Sequence, residues 1–581
     1  MMAMEELRQR ASQLSSSLTT EESCTKLAEY VPASFSFSEI LALSSSVKAA
    51  DDPRPSLLVT AACLRYLDRL KAHDDDLSVA TELATWVAKS IAPINTSTQH
   101  NQEGSLPGYG GTQDDDPYDT VTKHILPLLE PGLTALTLLA NHFPNDLPDL
   151  LKDDTLITLI SVSDLSNLSE SWSTPTTVDL ASNLLTSALA SLPNPNSVDI
   201  IGHYLTSYLR PLFSASRPST VTPSGRPAAF PADELDRPQG LPDDSRLTKP
   251  WKYVDLRAIP VLSFAVLRAQ RDTINWPLYV PPLLALLDDS LTRVRTRGLQ
   301  ITTDFLRKLP ANKLRETGLA RVFEDAIFPT LGYLPSLTPE EESLLLLDPA
   351  FGALLTLAEQ LAASERQDPQ TPSSSQKDTA RILLLDKLLR HGVFTAYAHC
   401  PENSRIVALL ARKTARIVSA LGVRAVKHLK DVVPMLKAVM TDPFAYASVD
   451  TLVEAVGALE AVVMNCWPRL LLQDGGGGWF NEVLGMVTVA WLNGVDYLGE
   501  AKEATGKARK GKLGDEVRRK DEVERKKREV ERVRVALNQV LDLLQGIARD
   551  GGEHRVDQGL DLAVEKLGET GLFKSLVPDG P

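Results

Sequence analysis

Residues 276–306 read WPLYVPPLLALLDDSLTRVRTRGLQITTDFL, and this stretch decides the fold. Its apolar residues recur at helical spacing, with prolines set inside the pattern. The spacing predicts one helix over 277–287 and a second over 292–309. Pro277 suits a first turn, where its missing N–H costs nothing. Pro281 and Pro282 then kink or restart that helix, because each removes a hydrogen bond to the residue four back. Asp288, Asp289 and Ser290 supply the turn and an N-cap for the second helix. Val294, Leu299, Ile301 and Phe305, with Gly298 beside them, form the second helix's buried stripe. Asp288 and Asp289 lie close to Arg293, Arg295 and Arg297, so the same cluster also has an active-site reading. The structural reading prevails. Carboxylates that do chemistry want a closed pocket, whereas an inter-helix turn offers a solvated edge where acid–base pairs are worth about 0–1 kcal/mol each.

A kinked helix, an acidic turn and a second helix opening on Val-Arg form the pattern of a HEAT repeat. Related proline steps occur at Pro127, Pro282, Pro329 and Pro434, separated by 155, 47 and 105 residues. These approximate three, one and two units of about 50 residues, slightly above the usual repeat length. Helical periodicity also predicts amphipathic helices over 4–18, 37–47, 55–70 and 77–91, while alternating strand patterns are nearly absent. The expected class is all-α, a HEAT/armadillo-like α-α superhelix with disordered loop insertions. Polar stretches at 95–116 and 364–378 read as such insertions, and the Pro- and Ser-rich 214–250 stretch as a disordered linker. The expected organisation is N-terminal repeats over 1–213, the linker over 214–250, repeats over 251–500, and a charged helix with a tail over 501–581.

The bulk numbers bound the function. At 581 residues the chain exceeds a single core. A net charge of −14 argues against a nucleic-acid-wrapping surface. The four cysteines (Cys24, Cys63, Cys400, Cys466) form no CxxC, so neither a zinc ribbon nor a disulfide framework is expected, and free thiols fit a reducing compartment. The N-terminus does not read as a secretory or transit signal, and no apolar run approaches the ~20 residues that span a bilayer. A cytosolic or nuclear, non-membrane protein is expected.

From Trp251 the chain reads WKYVDLRAIPVLSF, then PPLLALLDD at 281–289, VRTRGL at 294–299 and LRETGLARVFEDAIFPTLGYLPSLTPEEESLLLLDPAF at 314–351. This series resembles the Tel-two-interacting protein two (Tti-two) family, most specifically at PPLLALLDD, TGL with VFEDA, and LPSLTPEEES. The resemblance is strong from Trp251 to Leu361. It rests on Trp251, Trp276, Pro281, Pro282, Asp288, Asp289, Arg295, Gly298, Thr317, Gly318, Phe323, Glu324, Pro329, Leu334, Pro335, Thr338 and Pro339. The resemblance implies a scaffold without catalytic residues, cofactor or metal. It also implies Tti-one and Tel-two partners and, indirectly, the ninety-kilodalton heat-shock chaperone and phosphatidylinositol-3-kinase-related kinases.

Read physically, Thr317 and Gly318 end one segment and cap the next. Thr338, Pro339, Glu340 and Glu341 announce a helix with Thr as N-cap and Pro at N1. Leu334, Pro335 and Leu337 are expected to pack within the repeat, a partner contact being the alternative. DGGGGWF at 474–480 lacks the Lys-Ser/Thr of a P-loop and reads as a turn. His391, His399 and Cys400 match no zinc spacing. Between Lys502 and Arg534 there are 14 Lys/Arg against 8 Asp/Glu, and Val523, Val530, Leu537 and Leu544 recur every seven residues. The expectation is one long exposed helix packing its seam on the preceding repeat. The alternative is a docking helix for an acidic partner or phosphate backbone through Arg518, Arg519, Lys526 and Lys527, as in a transport-receptor-like or nucleic-acid-contacting adaptor.

Overall fold

The computed structural model describes residues 2–15, 18–47, 52–94, 117–168, 173–192, 198–216, 246–366, 374–471, 479–507, 513–550 and 554–572. The expected insertion at 95–116, the linker at 214–250 and the glycine run at 475–478 lie largely or wholly outside these residues, whereas the insertion expected at 364–378 is helical at both ends, 364–366 closing one helix and 374–378 opening the next, with 367–373 outside. Among the described residues there is no β-strand, only the isolated bridges Phe35–Leu70 and Ile94–Asp255. The protein is all-α and built of HEAT-type helix pairs. It forms two compact units, one of residues 1–286 with 308–310, the other of 287–307 with 311–581.

The first unit begins with α1 (Met2–Ser12), α2 (Thr20–Leu27), α3 (Phe37–Ser45), α4 (Arg54–Leu64), α5 (Asp76–Ile91), α6 (Pro117–His142) and α7 (Leu147–Leu150). It continues with α8 (Asp153–Val162), α9 (Pro175–Ala190), α10 (Val198–His203), α11 (Arg210–Phe213), α12 (Pro250–Tyr253), α13 (Ala258–Arg268) and α14 (Trp276–Leu287). Local chemistry starts several of these helices. Thr19 with Glu22, Ser36 with Glu39 and Thr174 with Thr177 each form a reciprocal capping box. The expected 55–70 helix stops at Leu64, and a 3₁₀ turn follows at Leu67–Arg69. Packing then builds two rows: α4, α6 and α9 in one, α3, α5, α8 and α13 in the other. Alternate helices touching is what stacked helix pairs require, because each pair buries its apolar face on the next. Residues 251–286 therefore belong to the first unit's stack, where α13 packs on α8.

The second unit holds α15 (Thr292–Lys308), α16 (Ala311–Thr317), α17 (Leu319–Ile327), α18 (Glu340–Arg366), α19 (Ser374–Lys387) and α20 (Thr395–His399). It ends with α21 (Ser404–Leu421), α22 (Leu429–Met440), α23 (Val449–Leu471), α24 (Trp479–Lys507), α25 (Leu513–Asp550) and α26 (His554–Glu569). One row runs α18, α21, α23, α25, and α22 packs on α24 beside it. Ion pairs stitch the row: Lys413–Asp348 (2.7 Å) and Arg416–Glu359 (3.6 Å) join α21 to α18, Arg412–Glu454 (2.9 Å) joins it to α23, and Arg532–Asp450 (2.9 Å) joins α25 to α23. These pairs lie on helix faces, not in the acidic inter-helix turn where the sequence placed its acid–base cluster.

Pro127, Pro282 and Pro434 sit inside α6, α14 and α22, so α14 is not restarted at Pro281 and Pro282, and Pro329 opens a turn of 3₁₀ type. Buried neighbours such as Val280, Leu283 and Val433 hold these helices across the missing bonds. In addition, residues 340–362 are long and apolar enough to cross a bilayer by length and composition, contrary to the sequence expectation. Leu346, Leu347, Ala350, Phe351 and Leu354 of that segment are buried inside the second unit, against helices such as α16, α19 and α21.

Candidate partner-docking surfaces

The acid–base cluster of 288–297 closes a turn. Asp289 is fully buried; its carboxylate accepts from Leu291 N–H (2.9 Å) and its carbonyl accepts from Arg295 Nε (3.0 Å). Arg295 is buried, and its guanidinium lies 4.5 Å from the Tyr333 ring centre. Asp288 is exposed, and Arg297 donates to Gln300 (3.4 Å). Asp289 and Arg295 thus serve the turn itself, the carboxylate binding the Leu291 N–H and the carbonyl binding Arg295. Val294, Gly298, Leu299, Ile301 and Phe305 form the expected stripe. The arginine pairing differs from expectation, since Arg295 bonds the Asp289 backbone.

The rest of the signature divides between core and surface. Trp251 is buried, stacked on Phe213 at 5.1 Å, with its indole N–H donating to Ser216 Oγ (2.8 Å). Trp276 and Pro281 are half-buried and Pro282 buried. Phe323 is buried against Phe305, and Glu324 pairs with Lys387 at 2.6 Å. Thr317 ends α16 and Gly318 opens α17 at φ 72°, a left-handed conformation that suits glycine. Helix α18 begins at Glu340, one residue beyond the expected N1, with the Pro339 carbonyl accepting from Ser343 N–H (2.9 Å). Its three leading glutamates clip it to neighbours. Glu340 accepts from Asn403 (3.2 Å), Glu341 pairs with Arg405, and Glu342 accepts from Thr292 (2.6 Å). Arg405 beside Glu341 holds that carboxyl below its ordinary range.

The LPSLTP segment departs from expectation. Leu334 is buried and Pro335 half-buried, yet Leu337 is 92% exposed. Between them Ser336 takes φ 95°, the positive-φ non-glycine residue among the described residues. The Leu337 and Thr338 N–H groups both donate to the Leu334 carbonyl (3.4 and 3.1 Å), closing a tight turn beneath the outward side chain. Serine at this φ is strained by about 1–3 kcal/mol, a cost that tends to collect at functional sites.

Val530, Val533, Leu537, Val540, Leu541 and Leu544 bury the seam of α25 against α23 and α24. Its basic face is partly spoken for: Lys526 Nζ lies 4.0 Å from the Tyr497 ring centre and Lys527 pairs with Glu524 at 3.3 Å. The side chains of Arg518 and Arg519 lie outside the described residues. His391 and His399 are exposed, Cys400 is buried with its thiol donating to the Ala396 carbonyl (3.0 Å), and no metal-holding cluster occurs among the described residues.

Two buried polar centres escaped the sequence reading. Arg257 is bidentate on Asp255 (2.9 and 2.9 Å) and also donates to Asp154 (2.8 Å) and Thr158 (3.0 Å). Burial opposes its charge, but the hydrogen bonds and charge of Asp255 prevail and raise its pKa above the ordinary value. In the second unit, fully buried His428 meets Asp386 at 2.8 Å, and Lys427 bonds the same carboxylate. Burial pushes Asp386 up, yet these two donors hold it below its usual value. The adjacent DLR triplet was the available signal for Arg257; His428 and Asp386 lie 42 positions apart and had none.

The Tti2 family model matches residues 158–447. No curated protein matches the chain. Among solved structures it is similar to importin beta in an ammonium sulfate condition (11% identity, TM-score 0.35), covering 91% of this chain and 61% of that one. It is also similar to importin beta in a polyethylene glycol condition (12% identity, TM-score 0.28, 94% and 69% covered) and to yeast importin-beta (11%, 0.24, 92% and 69%). The chain thus spans less than two thirds of the first of these structures. The matched stretch contains the buried Asp289 turn, the left-handed Gly318 and the strained Ser336 turn, all within the segments that carried the resemblance, and the chain belongs to the Tti2 family.

Proposed function

We propose that the chain is a non-enzymatic scaffold subunit of the TTT co-chaperone complex. In this reading it holds the Tti-one and Tel-two homologues and, with the ninety-kilodalton heat-shock chaperone, supports maturation of phosphatidylinositol-3-kinase-related kinases in cytoplasm and nucleus. Family membership supports the subunit role. The observation that carries a partner surface is Leu337, turned into solvent by a strained residue within the family-matched stretch. The strained, hydrogen-bonded turn holds Leu337 in place, and a partner that covers it would remove its apolar surface from water. The contacts of Lys526 and Lys527 within their own chain weigh against the nucleic-acid alternative.

The test is co-purification of tagged full-length protein with both homologues, wild type against Leu337→Asp. Wild type retains both, and the variant loses at least tenfold of one while its circular dichroism and thermal melt stay unchanged. Wild type that retains neither homologue refutes the subunit reading. Equal retention by the variant refutes the Leu337 surface.

A further inference from the structure

Threonine is followed by proline at 174, 222, 338 and 371, and positions 222 and 371 lie outside the described residues. The other two threonines differ in what their hydroxyls do. Thr174 caps a helix, its Oγ1 accepting from the Thr177 N–H (3.3 Å) within a capping box. The sequence assigns Thr338 the same duty, but α18 begins one residue later than that cap requires. The Thr338 N–H donates to the Leu334 carbonyl and its own carbonyl accepts from Ser343 Oγ (3.5 Å). Its half-buried hydroxyl has no hydrogen-bond partner among the described residues.

The flanks of Thr338 suit a phosphorylation substrate. Ser336, Leu337 and Pro339 are exposed, and residues 336–339 all precede α18. The turn hangs on two N–H groups bonded to one carbonyl (3.4 and 3.1 Å) and contains the strained Ser336, so it opens locally more readily than the helix behind it. Pro339 has no N–H to satisfy, the property that proline-directed Ser/Thr kinases select in the residue after the hydroxyl. We propose that Thr338 is the phosphorylation site of a proline-directed kinase, and that the phosphate switches off docking at Leu337. The Thr338 Oγ1 attacks the γ-phosphorus of ATP, the bond to the departing ADP breaks, and the hydroxyl proton passes to a carboxylate of the kinase. An acidophilic kinase, which reads a carboxylate three residues on, fits less well, because Glu341 lies inside α18 and is tied to Arg405. The product sets about −1.5 to −2 charge units beside Leu337, where Glu340, Glu341 and Glu342 already stand. An apolar partner group arriving there must strip water from that charge. The modification stands on the turn itself, whereas its effect on docking rests on the Leu337 reading.

The test is incubation of folded full-length protein with ATP and a purified kinase of the mitogen-activated type, the phosphate being located by peptide mass spectrometry. Thr338 is labelled in at least half of the native chains. Pro339→Ala lowers that labelling at least tenfold, and Glu341→Gln leaves it unchanged. The labelled protein then captures at least fivefold less of the homologue that Leu337→Asp loses, with an unchanged thermal melt. Thr338→Ala carried through the same reaction, and so labelled only elsewhere, captures like unlabelled wild type. Thr338 left unlabelled, labelled only in an isolated 330–345 peptide, or labelled by an acidophilic kinase instead overturns the site. Labelled protein that captures normally, while Leu337→Asp does not, overturns the switch alone. Normal capture by both overturns the Leu337 surface and the switch together, with the site still standing.

Discussion

Arg257→Met tests how the first unit is held at its buried charge centre. The wild-type guanidinium side chain is 6% exposed and satisfies Asp255, whose own side chain is 11% exposed. The substitution keeps most of the volume and removes four hydrogen bonds. Asp255 then retains its turn bond from the residue 257 N–H (3.1 Å), which does not neutralise a buried carboxylate. Breaking a buried pair from one side costs about 3–5 kcal/mol, chiefly by stranding the other charge. Asp154 is 40% exposed and can be hydrated, so its share is about 0–1 kcal/mol. The expected loss is therefore about 3–5 kcal/mol, almost all of it routed through Asp255. Hydrogen exchange of α8 and α13 reads it locally, and their protection should fall by about two to nearly four decades. Asp154→Asn should move it by less than one decade. Asp255→Leu combined with Arg257→Met should recover at least half the loss, since the stranded charge is gone. A single-variant loss below about 1 kcal/mol, or a double variant as unstable as the sum of the singles, would refute the argument.

Three other predictions concern separate features. The folded pKa of Asp386 is depressed, so its stabilisation is present above the unfolded value of about 4 and is lost as pH falls through the folded value. The stability gap between wild type and Asp386→Asn in urea titrations should hold from pH 7 to 5 and close in more acid solution; a gap that widens there contradicts it. Gly494 lies where a Cβ would stand 2.3 Å from Tyr446 Oη, and buried Tyr446 is pinned by its bond to the Ala490 carbonyl (3.0 Å). Gly494→Ala should cost about 1–3 kcal/mol in chemical denaturation, and a neutral result would show that this contact yields. Burial pushes Cys24 and Cys466 up to about 11 and Cys63 up to about 12. Titration of native protein with a thiol reagent near neutral pH should therefore label these three slowly, with full labelling only on unfolding; rapid native labelling would contradict their burial.

Elements were legible in the sequence wherever one local rule governed them. The 276–306 stretch foretold its helix pair, its Asp289 turn and its buried stripe, because periodicity and turn chemistry act over a few residues. The seam of α25 was readable for the same reason. Whether the prolines kink or restart their helix was not readable, because packing on both sides of a missing bond decides it and packing is not local. The centre formed by His428, Asp386 and Lys427 was invisible, since its members come from α19 and the turn before α22.

The LPSLTP turn marks the limit most sharply. Leu334 and Leu337 are the same residue type three positions apart, spacing that on a helix would place them on one face and bury both. One is 8% exposed and the other 92%. The difference arises at Ser336, whose φ of 95° reverses the chain direction so that Leu337 leaves the core that Leu334 enters. No propensity rule assigns that conformation to serine, where glycine or asparagine would be expected. A Ser336→Gly change should therefore relieve strain and stabilise the turn if its conformation is kept, whereas a bulky β-branched Val should destabilise it. If Ser336→Gly gains stability but holds partners less well, the strain contributes to docking by keeping Leu337 ordered. If stability and capture rise together, the exposed leucine alone does the work.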